Sequence, residues 1–149
     1  MKTIKILFLL FLGAGFSAQN NFAQDLDAYK FLGKTSEDVR NHYGKPVHIE
    51  DSNPSMICIF YKTNKNTMTF VSDENSIFQT DVLVFYENQS AAKTELDKVI
   101  SQANQQSFAT DTLSSTEFKL KKESVVFDVE MVPDPNSTKY EISLHGKRK

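Results

Sequence analysis

SVVFDVEMV, Ser124 to Val132, is the stretch that decides how this chain folds. Successive side chains of a strand point to opposite faces. Val125, Phe127, Val129 and Met131 therefore share one face, and Asp128 and Glu130 share the other. A strand that is apolar on one side and acidic on the other belongs to an antiparallel sheet with one dry face and one wet face. The neighbouring stretches repeat the pattern. TEFKLK, Thr116 to Lys121, sends Phe118 and Leu120 inward and Lys119 and Lys121 outward. KYEISLH, Lys139 to His145, sends Tyr140, Ile142 and Leu144 inward and leaves Lys139, Glu141 and His145 outward. A tight turn at Lys121 to Ser124 and a broad one at PDPNST, Pro133 to Thr138, separate the three strands.

Upstream of these strands the period changes. From Asn88 or Ser90 to about Gln106, Ala92, Leu96, Val99, Ile100 and Ala103 form one apolar stripe, with Lys93, Glu95, Asp97, Lys98, Gln102 and Gln105 opposite. That is an amphipathic helix lying on a sheet face. SFATDTLSST, Ser107 to Thr116, reads as a loop. The first half opens with FLGKTSEDVRNHYGKP, Phe31 to Pro46. Thr35 suits a helix start, Glu37 and Asp38 suit its first turn, and Gly44 and Pro46 end it. VHIED, MICIFYK, NTMTFVS and IFQTDVLVFYE then give three or four strands; the last is apolar on both faces near its end, which places it centrally. The order predicts an α+β fold: an antiparallel sheet of about six to seven strands, with a short N-terminal helix and one long helix packed on one face.

Leu32, Gly33, Thr35, Val39, Gly44 and Pro46 form an LGxTxxxVxxxxGxP pattern. It resembles an element of the SmpA/OmlA-type outer-membrane assembly lipoproteins and of proteins with the β-lactamase-inhibitor-protein fold. The resemblance implies helices ahead of an antiparallel sheet and, for the inhibitor-like fold, two weakly similar halves, here 31–86 and 88–146. The second half carries no LGxTxxxV segment of its own. The lipoprotein family's lipid-bearing cysteine is also missing, which departs from a membrane-assembly role. In its general style the chain is similar to exported proteins of Bacteroidetes-type bacteria.

At the N-terminus, Lys2 and Lys5 precede or flank the apolar run Ile6 to Leu12, and small residues follow. This is the order of a secretory signal peptide, with cleavage expected after Ala18. The run falls short of the ~20 residues needed to span a bilayer, and no cysteine follows it, so neither a membrane anchor nor an acyl anchor is expected. The expected plan is a signal peptide over 1–18, a polar leader over 19–30, and a single domain over 31–149. The mature chain is then exported, periplasmic or secreted. Loss of Lys2 and Lys5, with no acids lost, takes the formal charge from −2 to −4. A nucleic-acid partner needs a basic face, so it is excluded. Cys58 is the only cysteine, which excludes an intramolecular disulfide. Inside MICIFY it reads as a buried small hydrophobe.

Nothing along the chain has the spacing of a catalytic or metal motif. His42, His48 and His145 form no H-x-x-x-H pair. His48 and Glu50 can share a strand face but lack a third ligand, so no metal is expected. There is no G-x-S-x-G, P-loop or G-x-G-x-x-G, and no cofactor is expected. Asp128 and Glu130 stand about 7 Å apart along one strand, an ordinary arrangement for an acidic outer face. A non-enzymatic binding or inhibitor-like module follows, with Lys119, Lys121, Asp128, Glu130, Lys139, Glu141 and His145 as a contact surface for another exported or envelope protein. A plain solvated face, a small periplasmic enzyme with a site assembled from scattered residues, and an apolar-ligand carrier remain as other readings. Thr112, in DTL, is similar to the O-glycosylation acceptors of exported Bacteroidetes proteins.

Overall fold

Thr35 opens the first helix through a reciprocal pair of bonds. Its hydroxyl accepts from the Asp38 amide at 3.1 Å, and the Asp38 carboxylate accepts from the Thr35 amide at 2.9 Å. This capping box satisfies two of the amides that a helix start leaves open. Helix α1 spans Ser36–Tyr43. Gly44 stops it with a φ of 79°, a backbone setting that favours glycine. The structure is a computed structural model that describes residues 27–149. The expected signal peptide and residues 19–26 of the leader lie outside the described residues.

Four strands follow α1: β1 (His48–Glu50), β2 (Ile57–Lys62), β3 (Asn66–Ser72) and β4 (Ile77–Tyr86). Helix α2 (Gln89–Gln105) comes next, then β5 (Ala109–Thr112), β6 (Glu117–Lys122), β7 (Val125–Pro133) and β8 (Tyr140–Arg148). All eight strands form one sheet in the order β1-β2-β3-β4-β8-β7-β6-β5. Each neighbouring pair is antiparallel. A helix followed by a four-stranded meander thus occurs twice, and the two meanders meet along β4 and β8. The fold is α+β, with eight strands rather than six to seven. The extra strand is β5, which lies in the stretch read as a loop. Its sequence, ATDT, has no apolar alternation. Thr110 and Thr112 pair with Leu120 and Phe118, at the margin of the core, and polar contacts support the edge: the Thr110 hydroxyl donates to Asn104 of α2 at 2.7 Å.

The core lies on the helix side of the sheet. Val39 of α1 and Ala92, Leu96, Val99 and Ala103 of α2 are buried against Ile59, Phe70, Val82, Val84, Phe127, Val129, Ile142 and Leu144. Fully burying one such large side chain contributes about 1.5–3 kcal/mol. A 3-10 turn, Asp27–Phe31, packs into the same layer. Ala28 is buried, and the Tyr29 ring stands edge-on to Phe108 and Phe127, at 5.2 and 6.0 Å. The last residues assigned to the polar leader therefore belong to the packed body, because their apolar side chains fill its rim. Phe127 also lies over Gly146, its cross-strand partner. A Cβ at Gly146 would come within 2.1 Å of the Phe127 ring.

Cys58 is not in this core. It alternates with Ile57 and Ile59, so it points to the opposite face, between Glu50 and Val71 in register, and is half-buried there. Its apolar neighbours made the stretch look buried on both sides.

Candidate functional site

With both helices on one face, no described element covers the other. The strand register shows what this open face presents. One row runs His48, Phe60, Thr69, Asp81 across β1 to β4 and continues His145, Asp128, Lys119, Asp111 across β8 to β5. Its carboxylates Asp81, Asp128 and Asp111 alternate with His145 and Lys119. His145 Nδ1 and Asp81 Oδ1 are 2.5 Å apart, and the Gln79 amide donates to the other Asp81 oxygen at 2.9 Å. Lys119 pairs with Asp128 at 3.1 Å. Lys121, one row along, pairs with Asp111 at 2.5 Å. The Lys121 hydrogen bond and charge hold the Asp111 carboxyl below its ordinary value. Exposed pairs of this kind contribute about 0–1 kcal/mol each.

Six of the seven expected contact residues share the open face. Lys119, Asp128 and His145 stand in one row; Lys121, Glu130 and Glu141 flank it. Glu130 lies between Ser143 and Glu117 in register. Burial, with the charges of Asp134 and Glu130, raises the Glu141 carboxyl above its ordinary value. Lys139 sits just before β8 and pairs with Glu87 at 2.9 Å, closing the end of the β4–β8 ladder. Thr112 is exposed at the end of β5, in register with Phe118, and so on the helix side of the edge rather than on the open face.

The other half of the open face mixes apolar side chains with Glu50, Lys62, Thr67, Thr69 and Gln79. Phe60, Leu83 and Phe85 are half-buried there, beside Cys58 and the buried Val71. The His48 ring stacks on Phe60, with centroids 5.6 Å apart. Val47 and Met56 border this half and are 64% and 53% exposed. The signal for it was present in VLVFY, which is apolar on both faces. A central strand position accounts for Val82 and Val84, which face the core, but not for Leu83 and Phe85.

Two hollows bear on ligand binding. A void under α2, lined by Tyr29, Ala103, Gln106, Phe108, Leu120 and Phe127, is about 10 Å³, which is room for roughly one water and not for an apolar ligand. A larger hollow of about 470 Å³ is lined by Arg40, Gly44, Lys45, Pro46, His48 and Ile49, beside β1. Among the described residues no three His, Cys, Asp or Glu side chains are grouped to hold a metal. Among them, too, no helix is long and apolar enough to cross a membrane.

No family model matches the chain, and no curated protein matches it. A solved structure with a similar trace is a cysteine-rich secretory protein from Staphylococcus aureus subsp. aureus Mu50, at a TM-score of 0.47 and 12% identity. The match covers 80% of this chain and 45% of that one.

Proposed function

We propose that this chain is an exported, non-enzymatic module that binds another exported or envelope protein through the open face of its sheet. The observation that carries the reading is the division of that face. Phe60, Leu83 and Phe85 present half-buried apolar side chains among polar ones, and they abut a half that carries the Lys119–Asp128 and Lys121–Asp111 pairs together with Glu130 and Glu141. Protein interfaces have this anatomy, an apolar centre with a polar border. The opposite charges of Asp128 and Lys119, beside the His145–Asp81 bond, set register and select among partners more than they add affinity. Lys121, Glu130, Lys139 and Glu141 extend the border. The inhibitor-like resemblance of the Leu32–Pro46 pattern supports the same reading. Export places the partner in the same compartment, and a glycan on Thr112 would leave the open face free.

The test is recovery of a partner from envelope extract by the tagged chain beginning at Gln19. Leu83→Ser/Phe85→Ser, checked for folding by far-UV circular dichroism, is expected to lose that partner. Lys98→Glu, on the solvent side of α2, is expected to retain it. A partner held equally by all three proteins, or no reproducible partner at all, would refute the reading. N-terminal sequencing of the exported protein is expected to begin at Gln19, and intact mass is expected to show a glycan removed by Thr112→Ala.

A further inference from the structure

The hollow beside β1 belongs neither to the open face nor to the core. His48 and Ile49 are consecutive in a strand, so their side chains point to opposite faces. A hollow lined by both must run along the outer edge of the strand. There β1 has β2 on one side and, among the described residues, no strand on the other. An edge strand turns the N–H and C=O groups of alternate residues outward, where an added strand can bond to them. The far wall is the end of α1 and the connection Gly44–Pro46.

The lining of this hollow holds three basic side chains and no carboxylate. Lys93, Lys98, Lys119, Lys121 and Lys139 each pair with a carboxylate. Arg40 and Lys45, both exposed, form no ion pair among the described residues, as is also true of Lys34, Lys62, Lys65, Lys122, Lys147, Arg148 and Lys149; here two such cations line one hollow. His48 adds a third basic group to the same hollow. Glu50, on the same strand face as His48, accepts from the Ser52 amide and also feels the His48 charge, but it does not line the hollow. The negative end of the α1 dipole explains a cation at Arg40, in the last turn. It does not explain Lys45 and His48, which lie past the helix.

We infer that this edge is a second binding site, independent of the open face, for an extended acidic peptide segment that adds alongside β1. Backbone bonds to the β1 edge hold the segment, as in other strand additions. Its carboxylates lie against Arg40, Lys45 and His48. The strand length of three residues gives a contact of roughly 10 Å, so the site takes a short segment.

Fluorescence anisotropy with labelled peptides tests this. The probe is a hexapeptide of alternating glutamate and valine; one control replaces glutamate by lysine, and another carries N-methyl groups on alternate amides. The glutamate peptide is expected to bind saturably, more weakly as salt rises. The lysine peptide is expected not to bind, and N-methylation is expected to abolish binding. Arg40→Glu/Lys45→Glu changes two exposed side chains and is expected to weaken binding about tenfold or more. Leu83→Ser/Phe85→Ser is expected to bind the peptide as the unaltered chain does, which separates this site from the face. No saturable binding, equal binding of the lysine or N-methyl peptide, or unchanged affinity in Arg40→Glu/Lys45→Glu would overturn the inference.

Discussion

Gly146→Ala is the most searching test of the packing. The new methyl group would stand 2.1 Å from one Phe127 ring carbon and 2.7 Å from two others. Ordinary carbon contact is about 3.5 Å, so the ring must retreat by more than an ångström. Its retreat is blocked by Tyr29 and Phe108, whose ring centroids lie 6.0 and 6.2 Å away. Overpacking of this kind costs about 1–3 kcal/mol. Replacing glycine inside a strand returns about 0.5–1 kcal/mol of backbone entropy, which leaves a net loss of up to about 2.5 kcal/mol, toward the upper end here because the 2.1 Å approach is so close. Urea unfolding followed by tyrosine fluorescence measures it, since the chain has no tryptophan. The midpoint is expected to fall with the slope unchanged. Phe127→Leu, added to Gly146→Ala, is expected to be less harmful than the two single losses combined by about 1 kcal/mol, because the smaller side chain makes room. Stability of Gly146→Ala equal to that of the unaltered chain, or strict additivity in the double variant, would refute this account of the core.

Thr35→Ala removes the capping box and is expected to lower stability by about 1 kcal/mol in the same assay. Hydrogen bonds from Thr35 hold the Asp38 carboxyl below its ordinary value of 3.8. The stability they supply is present above 3.8 and lost as pH falls through the depressed value, so Thr35→Ala is also expected to flatten the acid side of the stability profile. Glu141→Gln has the opposite sign. Burial, Asp134 and Glu130 raise this carboxyl above 4.5, so the fold favours its neutral form, an advantage lost as pH rises through the raised value. Melting temperatures are expected to show a gain for Glu141→Gln near neutral pH and none well below 4.5. Thr80 is 0% exposed, and its hydroxyl has no hydrogen-bond partner among the described residues. Thr80→Val is expected to stabilise by about 1 kcal/mol in urea unfolding, and a loss would show that the hydroxyl is satisfied.

The sheet was legible wherever burial acts on alternate residues. Phe127 and Val129, or Ile142 and Leu144, advertise their face because water rejects them. Thr110 and Thr112 carry no such signal, so β5 was invisible until β6 stood beside it. Cys58 misled because a residue between two isoleucines looks enclosed, although a pleat sends it the other way. The wet face of β6, β7 and β8 could be written down from the sequence, but not its pairing. Asp81 and His145 are 64 positions apart, and only the adjacency of β4 and β8 brings them together. The hollow beside β1 was equally out of reach, since Arg40 and Ile49 meet through the angle of one helix against one strand edge.

The junction of β4 with β8 has a consequence for how the chain is made. The ladder from Gln79–Lys147 to Tyr86–Tyr140 closes contacts far apart in sequence. Such contacts form late and slowly, because a long loop must be ordered first. β8 is the last strand in chain order yet sits in the middle of the sheet. During synthesis the first meander is finished early, with its β4 flank unpartnered. It waits through some fifty further residues for the strand that joins the two halves, and it is in that interval that it is most open to a chaperone or to sticking to its own copies.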